Sequence, residues 1–464
     1  MKEIAADLRA NASLLRPQSS RTRYFVLSLI FWVTAVNFAD RSMLSITGSD
    51  ISKDLGLSPV ALGYVFSAFG WAYAAGQLPG GWLLDRFGSK RIYALSLFSW
   101  SFFVFLQTFV GLFHAAAAVV VLFTLLFFMG LCEAPVFPAN SRIVAAWFPA
   151  SERGTAAAIF NSAQYFAAVL FAPLMGWITH SLGWKYVFLF MGVVGFALTF
   201  VWLKAVHEPR EHPRISQAEL TYLERGGALI DMDRRSGGGG RPQWSHVWEL
   251  LGNRMLLGVY LGTYCVTAIM YFFLTWFPVY LVRARGMSIL EVGFVAALPA
   301  ICGFSGGVSG GVLSDYLLRL GCSLTFARKL PIVLGMLLAA GLIACNYVTA
   351  QWAIISIMCV AYFGKGFGSL GWAVVADTSP KEIAGLSAGV FNTFANVAAI
   401  TTPIAIGYIV KATGNFDGAM VYLAANAFGA ILSYLLIVGE IRRVELKSAQ
   451  QAIGQPNSPQ RRGA

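Results

Sequence analysis

The sequence predicts an all-α polytopic membrane protein: twelve transmembrane helices in two six-helix halves. Three observations predict it. Hydrophobic residues make up 57% of the 464 and charged ones only 12%, with a mean hydropathy of +0.65, which excludes an ordinary soluble domain. Apolar runs of roughly 20 residues recur along the chain, each long enough to cross a hydrocarbon layer of about 30 Å. They are too long for tilted strands, and backbone groups in lipid must be bonded within their own segment, so the runs are helices. Finally, short polar signatures of the first half return in the second at a fixed offset.

Taken in order, the spans fall at about 24–46, 58–81, 92–112, 115–142, 154–179, 184–206, 256–282, 289–313, 329–348, 352–375, 384–410 and 417–438. Residues 1–23 carry Lys2, Arg9, Arg16, Arg21 and Arg23 with no apolar core or cleavage-like site, and read as a short tail rather than a signal peptide. Lys and Arg resist translocation, and they crowd one set of loops: Arg86, Lys90 and Arg91; Arg153; Arg210 to Arg241; Arg319, Arg328 and Lys329; Arg442 and Arg443. Those loops and both tails, 1–23 and 442–464, are therefore expected in the cytoplasm of a bacterial inner-membrane protein. The net charge of +12 is mostly this bias, so it gives no reason to expect a nucleic-acid partner. The polar stretch 207–254, with Gly237 to Gly240 between Arg235 and Arg241, reads as a flexible linker between bundles at 24–206 and 255–441. Six cysteines stand singly, without metal or redox spacing, and no cofactor is expected.

The halves echo each other. Gly81-Trp-Leu-Leu-Asp85-Arg86-Phe-Gly88-Ser-Lys90-Arg91 follows the second span and Gly311-Val-Leu-Ser-Asp315 the eighth, the two Asp residues being 230 apart (315 − 85). Phe160-Asn161-Ser162 in the fifth span matches Phe391-Asn392-Thr393 in the eleventh, an offset of 231 (392 − 161). A duplicated six-helix unit accounts for both. Parallel six-span repeats resemble the major facilitator transporters. The run from Gly81 to Arg91 resembles that superfamily's signature after span two, which implies that Asp85, Arg86, Lys90 and Arg91 form a gate whose charge pairing changes with conformation.

Ionisable residues within the spans are few, and each carries a cost of a few kcal/mol that normally requires a cavity or partner. Away from the span ends they are Asp40 and Arg41 in span one, Glu133 in span four and Lys365 in span ten. Asp40 and Arg41 are adjacent, so their side chains diverge by about 100° around the helix. One can face a cavity while the other reaches a neighbouring helix; a structural ion pair is the plainer alternative. Glu133 precedes Pro135 and Pro138, which free backbone carbonyls and invite a kink. It is a candidate proton carrier, or an acid bonding a freed carbonyl. Polar pairs share helix faces near these charges: Tyr73 with Gln77, Asn161 with Gln164, Asn392 with Asn396, and Lys365 with Trp372. Such faces can be interhelical hydrogen bonding. Together with buried cations they suit a hydroxylated organic anion.

With these residues in place, the chain resembles the anion:cation symporter family, and within it the bacterial proton-coupled sugar-acid transporters of the glucarate/galactarate kind. The likeness runs from about Tyr24 to Leu446 and is carried by Gly63-Tyr-Val-Phe-Ser-Ala-Phe, Asn140-Ser-Arg-Ile-Val-Ala-Ala-Trp-Phe-Pro, Phe160-Asn-Ser-Ala-Gln-Tyr-Phe and Gly371-Trp-Ala-Val-Val-Ala-Asp-Thr. The resemblance implies that Asp40 and Glu133 carry protons and that Arg41 holds a substrate carboxylate. It further implies that Tyr73, Gln164, Trp372 and Asn392 line the sugar-acid site. Lys365 stands where the resemblance implies a Lys in carriers of diacids and a neutral residue in carriers of monoacids. Three residues depart from the family pattern: Leu126 replaces an Arg seven residues before Glu133, Phe38 replaces a Tyr, and Thr263 replaces a Gln. Two readings follow: a monomeric proton symporter for an aldarate or another organic anion, or an uncoupled carrier or sensor in which Leu126 has removed the coupling. An enzyme is disfavoured, because no nucleophile–base pair or metal spacing appears among the spans, and with no nucleotide-binding loop direct ATP drive is not expected.

Overall fold

The computed structural model describes residues 21–149, 151–231, 244–380 and 383–445. Most of the N-terminal tail, the glycine run of the linker and most of the C-terminal tail lie outside the described residues.

The chain is helical throughout the described residues: α1 Thr22–Leu55, α2 Pro59–Phe87, α3 Ser89–Gln107, α4 Ala115–Glu133, α5 Val136–Trp147, α6 Arg153–Leu182, α7 Lys185–Ala205, α8 Gln217–Arg225, α9 Trp244–Gly252 and α10 Arg254–Tyr271. There follow α11 Phe277–Arg285, α12 Ile289–Val295, α13 Ala297–Arg319, α14 Leu324–Ala340, α15 Gln351–Phe367, α16 Gly371–Thr378, α17 Ala384–Thr413 and α18 Asp417–Leu432. Among the described residues eleven helices are long and apolar enough to cross a membrane. The remaining sequence-predicted span corresponds to α2, whose 29 residues extend about 43 Å.

Breaks fall where backbone chemistry requires them. Pro135 has no N–H and its ring crowds the preceding turn, so the fourth span divides into α4 and α5 at Ala134–Pro135, directly after Glu133. α1 ends at Gly56, whose φ of 66° lies in the left-handed region and whose N–H donates to the Ser52 carbonyl. The seventh span is interrupted by a π-helical turn, Phe272–Trp276, between α10 and α11.

The helices pack as two compact units. The first comprises Met1–Gly239, Tyr271–Ile301 and Ala399–Gly418. Within it, small residues set the closest approaches. A Cβ built on Gly130 would stand 2.7 Å from the Phe69 carbonyl oxygen, and one on Gly76 would stand 2.7 Å from the Ala134 Cβ, so α2 and α4 run nearly in backbone contact. At the far ends of α1, α2 and α6, segments from the second sequence repeat pack equally tightly: Gly63 on Pro403 and Gly407, Gly176 on Gly293, and Ser45 Oγ donating to the Thr275 carbonyl at 2.7 Å.

At the opposite end of this unit lies a strap the sequence reading did not foresee. The expectation was a flexible linker over 207–254, but residues 207–231 are folded onto the bundle. Glu219 accepts the first backbone N–H groups of α1, from Thr22 at 3.3 Å and Arg23 at 3.2 Å, and so caps that helix from 197 residues away. Arg23 extends between the Tyr24 and Tyr222 rings toward Glu152, and Arg153 donates to the Gly227 carbonyl at 2.6 Å. His212 accepts the Arg214 N–H on Nδ1, which leaves Nε2–H to donate to Ala205, and burial holds its imidazole below the usual histidine range.

The second unit comprises Gly240–Met270, Cys302–Ala398 and Ala419–Ala464. Its core is again a glycine seam, in which Gly303, Gly306 and Gly310 of α13 meet Tyr362, Phe363 and Phe367 of α15, and Gly335 of α14 meets Gly364. Arg328 joins Asp377 at 2.9 Å, Ser314 at 3.0 Å and Asp315, the second-repeat counterpart of Asp85, at 3.9 Å.

Candidate transport site

The first unit gathers four of the sequence-predicted residues into one cluster. α2 and α4 run parallel, with Phe69 level with Gly130, Gly76 with Ala134 and Gly80 with Pro135. This register sets Glu133 level with Tyr73. Arg41 on α1 completes the group: its Nε donates to Glu133 Oε2 at 2.9 Å, an ion pair with both side chains buried. Three rings enclose the guanidinium, with Cζ lying 5.1 Å from the Phe38 centroid, 4.5 Å from Phe69 and 4.9 Å from Tyr73. Aromatic faces stabilise a cation without neutralising it. The sequence reading left Glu133 a choice of roles; here it pairs with Arg41.

Asp40 turns the other way, as the 100° divergence requires. It is 2% exposed, and its Oδ2 accepts the indole N–H of Trp100 on α3 at 3.0 Å. Hydrogen bonding in the cluster is incomplete among the described residues. Asp40 Oδ1, Arg41 Nη2 and Nε2 of Gln77 are buried without a partner, and Glu133 Oε1 and the Asn37 amide lie close to each other without reaching good hydrogen-bond geometry. Each such group costs of order 1–3 kcal/mol, so an unsatisfied cluster of this size points to a site rather than to packing. Leu126 lies buried in the same span as Glu133 and adds no polar atom.

Gln164 sits on α6 with its amide donating to the main-chain carbonyl of Asn161 at 3.1 Å, and the Asn161 amide donates in turn to the Ala157 carbonyl at 2.8 Å. Three further residues belong to the second unit. Lys365 is half-buried near the end of α15, its Nζ 5.2 Å from the Tyr362 ring centroid, with no carboxylate against it among the described residues. Trp372, 52% exposed, meets Phe391 edge-on at 4.7 Å, beside Asn392, whose carbonyl accepts from Asn396. Among the gate residues, Asp85 lies in the last turn of α2 but its side chain falls outside what is described. Arg86 stacks over Trp82 and Phe87, Lys90 accepts the Trp202 indole N–H on its carbonyl, and Arg91 is exposed on α3.

Sequence reasoning missed Trp100, Asn37 and Tyr271. Tyr271 is buried at the end of α10, within electrostatic reach of Arg41, Tyr73 and Glu133. The repeat could have signalled it: Tyr271 stands 230 residues after Arg41 (271 − 41), the offset of the internal duplication.

Helices of membrane length around a buried, incompletely bonded ionic cluster fit one class, a polytopic transporter. The Major Facilitator Superfamily profile matches residues 30–327, and the chain belongs to that superfamily. It is 61% identical over 447 residues to the Probable galactarate/D-glucarate transporter GudP of Bacillus subtilis, covering 96% of this chain and 98% of the relative. GarP of Escherichia coli, with the same description, is 56% identical over 92% of this chain and 97% of its own. The D-galactonate transporter of E. coli is 38% identical over 94% of this chain and 100% of its own. Among solved structures, an inward-facing, unoccupied bacterial homologue of the human lysosomal transporter Spinster superposes with a TM-score of 0.64 at 17% identity, covering 90% of this chain and 95% of that one. That likeness shows the fold.

Proposed function

We propose that the protein imports a sugar acid, an aldarate such as D-glucarate or galactarate, by proton symport with alternating access. It would do so as a monomer in the bacterial inner membrane with both termini cytoplasmic. The observation that carries this reading is the buried Arg41 guanidinium, bonded to Glu133 through Nε yet unpartnered at Nη2, with Asp40 on the adjacent position. A guanidinium with a free edge binds a carboxylate in a geometry no other side chain matches. The relatives named as galactarate/D-glucarate transporters support the substrate class.

In the proposed cycle, protons entering from outside load Asp40 and Glu133, and a protonated Glu133 releases its hold on Arg41. The guanidinium then accepts the substrate carboxylate. Proton and anion enter together, so the buried net charge of the cluster changes little. The occupied and empty states differ in buried charge pairing, which supplies the free-energy difference that biases the conformational change. Tyr73, Gln164, Trp372 and Asn392 would serve the hydroxyl groups, and Asp85, Arg86, Lys90 and Arg91 the cytoplasmic gate.

Cells expressing the protein should alkalinise a weakly buffered medium when D-glucarate is added, and Asp40→Asn should abolish the signal. Silence of the wild-type protein at verified surface expression would discard coupled aldarate uptake. Lys365 is the cation we assign to a second carboxylate. Lys365→Ala should then weaken diacids about tenfold more than monoacids in competition assays, and equal loss of both would refute the assignment. An uncoupled carrier is the second reading, favoured by the apolar, buried Leu126. It predicts saturable binding without accumulation.

A further inference from the structure

The carboxylate site has a component that neither the sequence motifs nor the roles above assign. α1 and the seventh span run side by side in parallel within the first unit. Ser45 Oγ donates to the Thr275 carbonyl, and a Cβ on Gly48 would meet Val279 at 3.4 Å, so the paired residues rise together. Their separations are 230 (275 − 45) and 231 (279 − 48), and the same register puts Tyr271 level with Arg41. Phe66 of α2 packs edge-on against Trp276 of this turn at 5.4 Å.

Between Tyr271 and α11 the helix is π-helical over Phe272–Trp276, and the Thr275 hydroxyl donates back to the Tyr271 carbonyl. A π turn inserts one residue, is less stable than regular helix, and occurs mostly at functional sites. It sets the direction from which Tyr271 approaches the cluster. The ring is buried, and neither its hydroxyl nor that of Tyr73 makes a hydrogen bond among the described residues, yet neither oxygen is enclosed as the orphaned atoms of the cluster are. Both hydroxyls therefore keep some accessible surface. Tyr73 thus presents a phenol beside the enclosed cation, whose own Nη2 is unpartnered, and Tyr271 stands level with it in the register.

We propose that Tyr271 is a substrate-contacting residue that donates its phenolic hydroxyl to the same carboxylate that Arg41 binds. This rests on the reading that Arg41 takes a substrate carboxylate. A carboxylate offers about four acceptor positions, more than the free edge of Arg41 fills, and the two phenols satisfy the remainder. The duplicated fold therefore uses one position twice, as a cation in the first repeat and as a neutral donor in the second. A neutral donor adds a charge-assisted hydrogen bond without a second buried cation beside the first. It also ties carboxylate binding to the π turn, where the seventh span leans on α1.

The test compares purified wild-type protein with Tyr271→Phe, which removes the hydroxyl and keeps the ring. D-glucarate affinity and the melting temperature without ligand are measured for both. The expected result is a Kd about tenfold weaker, the size of one charge-assisted hydrogen bond, with ligand-free melting unchanged because the hydroxyl bonds nothing in the empty protein. Tyr271→Ala should weaken binding at least as much. If the wild type binds D-glucarate and Tyr271→Phe matches it within twofold, the assignment to Tyr271 is wrong and the transport reading stands. A drop in ligand-free melting with unchanged affinity likewise assigns the hydroxyl to structure and overturns it. If the wild type binds no sugar acid, both readings fall.

Discussion

Arg41→Ala should lower sugar-acid uptake about 100-fold or more and lower the melting temperature of the detergent-solubilised protein as well. The two effects have different origins. Uptake falls because the proposed carboxylate anchor is gone, and truncating one side of a buried charged contact costs about 2–5 kcal/mol. Stability falls because Glu133, fully buried on α4, loses the Arg41 Nε that bonds it at 2.9 Å. Breaking a buried ion pair from one side destabilises by about 3–5 kcal/mol, whereas removing both charges is often nearly neutral. Arg41→Ala combined with Glu133→Gln should therefore regain most of the melting temperature while uptake stays lost. A single variant that melts like the wild type would show that the pair contributes nothing to the fold.

Gly63→Leu should reduce uptake at least about tenfold while leaving the protein inserted and folded. A Cβ at Gly63 would stand 2.6 Å from the Pro403 carbonyl oxygen and 3.4 Å from the Gly407 Cα. Both obstacles are backbone, so neither can swing aside as a side chain does. α2 and α17 must separate there, and on the alternating-access reading the carrier is then held with this end open. Ala399, fully buried here, reports the change. A membrane-impermeant maleimide should label Ala399→Cys faster in the Gly63→Leu background, over the signal of the six native cysteines. Wild-type uptake with unchanged labelling would mean that this glycine contact does not control access.

The helices were legible because apolar runs of membrane length have few other solutions, and the break after Glu133 was legible because Pro135 forces it. The buried charges were equally plain, since each is costly in lipid and therefore stands out. Their pairing was not. The 100° divergence of Asp40 and Arg41 separated their directions, but choosing Trp100 and Glu133 as partners requires knowing which helices adjoin, and those contacts span 60 and 92 residues. Trp100 and Tyr271 were missed because an aromatic residue in an apolar span looks like lipid-facing or core packing. Tyr271 was recoverable only by carrying the repeat offset from Asp85/Asp315 over to Arg41. The strap was missed for the opposite reason: its polar composition matches that of a linker, and its ordering depends on Glu219 meeting the open N-terminus of α1, a contact with no local signature.

That capping contact has a consequence for how the chain is made. The first backbone donors of α1 wait for a carboxylate encoded 197 residues later. At ordinary elongation rates the interval is on the order of 10–40 s. Throughout it, the helix that carries Asp40 and Arg41 must be held in the membrane by water or lipid headgroups at its open end. The cap cannot form until the sixth span has emerged and residue 219 has been made, so the ribosome's progress through that residue marks the earliest moment at which the open end of α1 can be closed.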